Sequence, residues 1–232
     1  EKRLYFTATP TPDQRELSNH RYTHMDAVAN GHNKPFDLIV DVYQKDKEDF
    51  LKGRVHSIAR AVKKYDVRRI IVCCRYSNDV AGDTGLSSVT AFAEYEKELK
   101  TALCEYDIDS NLDLFFPLTS GTTSEDRQKA FDSFGKNDRD TIRVILNCQV
   151  LREGVDLPNA DMVVFMDPKH SSVAVIQTIG RITRLGGLDR GYVLIPCAVD
   201  IDDYKDEDNT EGRTKVIADA CSNKNGDFSS VV

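Results

Sequence analysis

The chain has 232 residues, of which 40% are hydrophobic and 30% charged, and its formal net charge is −7 at pH 7. This length suffices for one large domain, or for one domain with an appendage, and the composition is typical of a soluble globular protein. No apolar run approaches the roughly 18 residues of a membrane span. The acidic balance excludes a protein that coats nucleic acid by bulk positive charge, although a local basic groove remains compatible with it.

The start of the chain and its cysteines indicate where the protein works. The first residue is Glu1 and no signal-peptide pattern follows, so we expect a piece of a longer, intracellular protein of the cytoplasm or nucleus. Six cysteines without a C-x-x-C pair are expected to be reduced core thiols. His20 and His24 are spaced to share a helical face, but no second ligand pair accompanies them, so we predict no metal site.

Short β-like runs alternate with helical patterns from residue 36 onward. FDLIVDV (36–42) predicts a strand, and the 4-3-4-3 apolar spacing from Leu51 to Tyr65 predicts a helix after it. RIIVCC (69–74) predicts a buried strand, and apolar positions from Leu86 to Leu103 predict a long helix. These are two successive β-α units.

The pattern continues through the second half of the chain. Thr122 and Glu125 have the spacing of a capping box, which predicts the start of a helix whose inner side carries Ala130, Phe131 and Phe134. Four further strands are predicted, at 112–118, 142–148, 161–166 and 191–197. Alternation of this kind predicts a three-layer α/β domain, in which a mostly parallel sheet has helices on both faces and its functional site at the carboxyl ends of the strands.

The two flanks of this domain have a different character. Residues 1–10 include a strand-like run, and residues 11–35 are polar, which predicts the tail of a preceding domain and then a linker. The domain itself is predicted to span 36–198. Residues 199–232 are predicted to form an acidic loop, over 200–212, followed by a terminal helix.

One short stretch, QTIGRITR (177–184), combines apolar and basic residues at regular spacing. On a helix capped by Ser171 or Ser172, one face would carry Gln177, Gly180, Arg181 and Arg184, and the opposite face Val175, Ile176, Ile179 and Ile182. Gly180 would serve a close backbone approach, because glycine weakens a helix. Two guanidinium groups on one face favour an anion between them, and a phosphate suits their geometry. The alternative is a solvated helix face with two surface arginines.

Several stretches together resemble the second RecA-like domain of superfamily 2 helicases and translocases. LREGVDLP (151–158) is similar to motif V and QTIGRITR to motif VI, Q-x-x-G-R-x-x-R. The remaining stretches are FTATP (6–10), similar to motif III, IIVCCRYS (70–77), similar to motif IV, and SGTTSEDRQKAF (120–131), similar to the segment between motifs IV and V. Motif V most resembles that of the restriction-enzyme (Res subunit-like) branch.

The resemblance implies roles for individual residues in ATP hydrolysis. Arg184 would be the arginine finger, Arg181 a second contact to the γ-phosphate, and Gln177 a group that organises the attacking water. Asp156 would lie near the ribose, with Gly154 allowing close approach. The resemblance also implies that Thr7 and Thr9 couple the nucleotide state to the binding of a nucleic-acid strand across the domain interface.

The family binds nucleic acid through the phosphate backbone, which here implies contacts from Arg75, Ser77, Ser120, Gly121 and Cys148. Main-chain amides and small side chains can bind phosphates without reading sequence, which suits an acidic protein with a local groove. We expect DNA rather than RNA as the partner. Cys148 departs from the threonine of DEAD-box proteins, and Ser120 and Gly121 could instead form an ordinary turn.

The chain lacks the other half of such a motor. Neither a P-loop, G-x-x-x-x-G-K-[ST], nor a carboxylate pair for Mg²⁺ after an apolar strand occurs in it. ATP and Mg²⁺ are therefore expected in the parent protein, with the first RecA-like domain as partner, and no useful ATPase activity is expected from this chain alone. Two alternatives are a non-catalytic RecA-like interaction module and a small doubly wound nucleotide-binding enzyme, which the absence of G-x-G-x-x-G disfavours.

Overall fold

Strands and helices alternate along the chain in a computed structural model that describes residues 22–44, 50–74, 89–108, 111–118, 121–136, 138–148, 160–166 and 172–199. The helices in these residues are α1 (His24–Ala29), α2 (Phe50–Tyr65), α3 (Val89–Glu105), α4 (Ser124–Phe134) and α5 (Ser172–Ile179). The strands are β1 (Phe36–Gln44), β2 (Arg69–Cys74), β3 (Asn111–Leu118), β4 (Thr141–Cys148), β5 (Met162–Phe165) and β6 (Gly191–Val199).

The six described strands form one sheet in the order β1-β6-β5-β2-β4-β3. Every neighbouring pair is parallel, which confirms the predicted α/β architecture. All six residues of β2 are buried, because this strand lies inside the sheet and has helices over both faces. The apolar run RIIVCC is explained by that position.

Two apolar cores lie on opposite faces of the sheet. Ile70 and Val72 of β2 point to a core shared with α2 and α3, whereas Ile71 and Cys73 point to the core shared with α4 and α5. The helices contribute residues at the predicted spacing; these include Val55, Ile58 and Val62 of α2, Phe92, Leu99 and Leu103 of α3, and Ala130, Phe131 and Phe134 of α4. The three-layer arrangement follows from this division.

Some local predictions are wrong by a residue or a face. The N-cap of α4 is Thr123, not Thr122: the Thr123 Oγ1 accepts a hydrogen bond from the backbone N–H of Asp126 at 3.1 Å. Ile176 was expected on the buried side of its helix, but its side chain is 38% exposed. Of the cysteines whose side chains are described, Cys104 is exposed on α3 and therefore not a core thiol.

The polar stretch before β1 contains an ordered portion. Helix α1 begins with a capping box, in which Thr23 and Asp26 each accept a hydrogen bond from the other's backbone N–H. His24, within α1, lies with its ring 5.5 Å from that of Phe36, and His20 lies outside the described residues. The predicted linker, residues 11–35, therefore includes a folded segment over 22–35.

Candidate functional site

The stretch QTIGRITR does not form one continuous helix. Helix α5 ends at Ile179, and although the Gly180 N–H still donates to the Ile176 carbonyl, the next two bonds span three residues. Arg181 N–H donates to Thr178 O at 3.0 Å, and Ile182 N–H to Ile179 O at 2.9 Å. This tightening is common in the last turn of a helix. Arg181 and Arg184 thus lie beyond α5, in the segment 180–190, which we call the arginine segment.

The expected close approach of another element to Gly180 is not seen. The nearest atoms to a Cβ at this position would be the carbonyl oxygens of Gln177 at 3.3 Å and Ile176 at 3.4 Å. Both belong to the preceding turn of α5, and Gly180 itself is exposed.

The arginine segment is held in place by the burial of the two residues between its arginines. Ile182 is fully buried against the core below α5, and the side chain of Thr183 is also buried. Arg181 and Arg184, on either side of these two residues, are partly exposed, as is Gln177 at the end of α5. The backbone is thereby held in place while both arginines stay partly exposed.

This segment lies at the amino-terminal edge of the sheet. The Thr183 carbonyl accepts a hydrogen bond from the Lys34 N–H at 2.8 Å, just before β1 begins, and Ile182 packs against Gly191, the first residue of β6. Helix α5 follows β5 and returns along the sheet, so the residues after it reach the edge where the strands start. The two arginines therefore do not lie at the carboxyl ends of the strands, where the site was predicted.

A buried charged cluster supports the arginine segment from below. The Lys34 Nζ donates to the carbonyls of Gly186 at 3.1 Å and Leu188 at 3.0 Å, and the residue is only 4% exposed. The Asp161 carboxylate, fully buried, accepts from the Arg69 backbone N–H and from its guanidinium Nη2, both at 3.0 Å. Burial lowers the pKa of the Lys34 ammonium, and the negative charge of Asp161 partly opposes this shift.

Sequence reasoning did not identify this cluster. Lys34 stands in a polar stretch, and Asp161 precedes an apolar run, so neither has a local pattern that predicts burial. A single signal was available: a charged residue at each strand entrance, Arg69 before IIVCC and Asp161 before MVVF, is compatible with a pair at adjacent strand starts. Strands β2 and β5 are indeed neighbours in the sheet.

The opposite, carboxyl edge contains the predicted nucleic-acid contacts that the structure describes. Cys148 is the last residue of β4, where it pairs in register with Cys74, the last residue of β2. Gly121 lies exposed in the turn between β3 and α4. The other predicted residues, Arg75, Ser77, Ser120, Gly154, Asp156, Thr7 and Thr9, lie outside the described residues.

The described candidates therefore form two groups on opposite edges of the sheet. Strand β2 has six residues between the edges, which corresponds to about 20 Å at 3.3 Å per residue. The two arginines therefore belong to a different surface of the domain from Cys148 and Gly121.

Comparison with known proteins identifies the family. A family profile described as the helicase conserved C-terminal domain matches residues 53–186, more than half of the chain. The chain belongs to this family. The match confirms the predicted resemblance to the second RecA-like domain of superfamily 2 helicases, whereas the restriction-enzyme branch remains a prediction.

Individual relatives are similar to this helicase C-terminal domain at low identity. A probable helicase of African swine fever virus (isolate Pig/Kenya/KEN-50/1950) is 27% identical over 191 residues, which cover 77% of this chain and 20% of the relative. The ATP-dependent rRNA helicase SPB4 of Lodderomyces elongisporus is 27% identical over 99 residues, 42% of this chain and 16% of the relative. The chain thus spans about a fifth of the length of these curated relatives.

The chain is also similar to a solved structure. The DEAD-box protein SrmB of E. coli, bound to regulator of ribonuclease activity A, superposes with a TM-score of 0.48 at 16% identity. The superposition covers 74% of this chain and 81% of that chain. Among the described residues of the present protein, no helix has the length and hydrophobicity needed to cross a lipid bilayer.

Proposed function

We propose that this helicase C-terminal domain is the second motor domain of a longer ATP-dependent superfamily 2 helicase or translocase. In that protein, Arg184 acts as arginine finger, Arg181 contacts the γ-phosphate, and Gln177 organises the attacking water. The family match, which includes QTIGRITR, carries this proposal. Gly154 and Asp156 complete the nucleotide contacts, and the first RecA-like domain supplies the Mg²⁺ ligands.

The construction of the arginine segment supports the role of the two arginines. A group that stabilises a transferring phosphoryl group must be held in place before the reaction, because stabilisation then costs no reorganisation. Ile182 and Thr183 are buried between Arg181 and Arg184, and so anchor the backbone from which both side chains extend.

The proposed nucleic-acid surface is the carboxyl edge of the sheet. Arg75, Ser77, Ser120, Gly121 and Cys148 would bind phosphates there, and Thr7 and Thr9 would couple this binding to the nucleotide state. The distance of about 20 Å between the two edges agrees with separate surfaces for strand and nucleotide. We propose DNA as the substrate; an equal response of ATP turnover to RNA strands would contradict that choice.

The decisive experiment compares two arginines of the same segment in the full-length protein. We expect Arg184→Ala to lower strand-stimulated ATP turnover by about 10³-fold or more, since an arginine finger contributes that much, while ATP binding stays within a few-fold. Arg190→Ala is the control, because Arg190 lies in the same segment but is exposed and pairs with Asp37. It should leave turnover unchanged.

Two results would contradict the proposal. If Arg184→Ala hydrolysed ATP normally, the arginine would not reach the γ-phosphate, and a non-catalytic interaction module would be the better explanation. If the purified 232-residue chain hydrolysed ATP and lost that activity on Arg184→Ala, the expected dependence on a first RecA-like domain would be wrong. Turnover by continuous phosphate release and binding by a fluorescent ATP analogue measure both quantities.

A further inference from the structure

Lys34 is a buried cation whose hydrogen bonds go to the backbone of the arginine segment. Its Nζ donates to the carbonyls of Gly186 and Leu188, and its N–H donates to the carbonyl of Thr183. Thus one residue, 4% exposed, contacts the segment both next to Arg184 and four residues beyond it.

The loop is shaped so that two carbonyls converge on this ammonium group. Gly186 and Leu188 flank Gly187, whose φ of 73° lies in the left-handed region that a side chain disfavours. Below Gly187, the guanidinium of Arg69 and the carboxylate of Asp161 fill the space that a Cβ atom would need. Burying an ammonium is costly unless it is hydrogen-bonded, so these contacts are a requirement for Lys34 to lie there.

We propose that Lys34 is a positioning residue that sets the location of Arg184 through the backbone of the arginine segment. Its bond to Thr183 fixes the residue directly before Arg184, and its ammonium holds the loop that follows. Lys34 itself contacts no nucleotide in this mechanism. The inference rests on the proposed function, in which Arg184 is the arginine finger.

The position of Lys34 in the chain gives this anchor a second consequence. It lies two residues before β1, at the end of the stretch that would join this domain to the first RecA-like domain. The chain entering the domain and the arginine segment are thus tied together by the backbone and the side chain of one residue. The connection to the first domain therefore also sets the geometry of the arginine finger.

The test replaces Lys34 in the full-length protein and follows two independent readouts. Lys34→Met keeps the apolar stem but removes the donor, and Lys34→Arg keeps a charged donor. We expect Lys34→Met to accelerate hydrogen exchange of the Ile182 and Gly191 amides about tenfold or more, because their partners Ile179 and Pro35 border the loosened segment. It should also lower kcat for ATP about tenfold with KM nearly unchanged, and Lys34→Arg should restore part of both.

Lys63→Met is the matched control, since Lys63 donates to the Asp107 carbonyl at 3.3 Å on an exposed surface, outside the arginine segment. It should change neither readout. Unchanged exchange in Lys34→Met would overturn the anchor, and so would faster exchange with normal kcat, since Arg184 would then keep its position without it. A failure of the proposed function is recognised separately, by normal turnover of Arg184→Ala.

Discussion

At the scale of single residues, Gly187 offers a test of how tightly the charged cluster is packed. An alanine there would need a left-handed conformation, which costs about 1–2 kcal/mol for a residue with a side chain. Its Cβ would also overlap Arg69 Nη2 and lie 3.1 Å from Asp161 Oδ1. Because that pair is buried, moving the guanidinium into water would leave the Asp161 carboxylate with backbone N–H donors only, so we expect Gly187→Ala to lower the free energy of unfolding by about 3 kcal/mol or more.

Gly31→Ala separates the two causes. Gly31 has nearly the same φ, 71°, but a Cβ there would have no atom within 4 Å. It should therefore show only the conformational cost of about 1–2 kcal/mol in urea unfolding. Equal losses of unfolding free energy in the two variants would mean that the Arg69–Asp161 pair can move aside at no energetic cost, which its burial argues against.

Residues whose role depends on distant partners were the hardest to predict. Lys34 and the carbonyl of Gly186 are 152 positions apart in the chain, and no sequence pattern near either of them indicates the contact. Arg181 and Arg184 were identified because their spacing is local and matches a known motif. Their position at the amino edge was not, because it depends on where α5 ends.

At the scale of elements, the N-cap of α4 distinguishes two neighbouring threonines. Thr123 accepts from the Asp126 N–H, whereas the Thr122 hydroxyl is 3.5 Å from the Pro117 carbonyl. Loss of an N-cap side chain costs typically about 1 kcal/mol, so Thr123→Ala should lower the free energy of unfolding by that amount. Thr122→Ala serves as the control and should cost less than half as much. The reverse ranking in denaturant unfolding would restore the sequence-based assignment.

Helices were predicted well where the apolar spacing is long and regular. The 4-3-4-3 spacing predicted α2 almost to its ends, because its buried side continues through the whole helix. The same reasoning extended α5 too far: Ile182 keeps the helical spacing of apolar residues, although the backbone has already tightened after Ile179. The spacing of apolar residues indicates which residues are buried, but it does not indicate which carbonyl accepts the hydrogen bond of each backbone N–H.

At the scale of the whole molecule, parallel pairing followed from the alternation of strands and helices, but the strand order did not. The β1-β6-β5-β2-β4-β3 order places the first and last strands side by side at one edge. That pairing depends on contacts between Phe36 and Gly191, 155 positions apart, so no local pattern contains it. The same pairing brings the entry to β1 next to the arginine segment and makes the contact of Lys34 possible.

The pairing at this edge leads to a prediction about where the folded unit begins. Sequence reasoning placed the start of the domain at residue 36, whereas Lys34 and Pro35 are hydrogen-bonded to the arginine segment and to β6, and His24 of α1 lies against Phe36. A chain starting at residue 36 would lose the donor of the Gly186 and Leu188 carbonyls. Since hydrogen bonds to a charged group contribute about 1.5–3 kcal/mol each, partly offset by the burial of the charge, we expect a net loss of about 2 kcal/mol.

For a protein of this size, such a loss corresponds to a decrease of about 4–8 °C in Tm. A chain starting at residue 22 is the control and should melt with the 232-residue chain, because it keeps α1, Lys34 and Pro35. If the chains starting at residues 22 and 36 had the same Tm, residues 22–35 would contribute nothing to the folded unit, and the predicted boundary at residue 36 would be correct. If only the shorter chain is destabilised, the arginine segment and the entry to the domain fold as one unit.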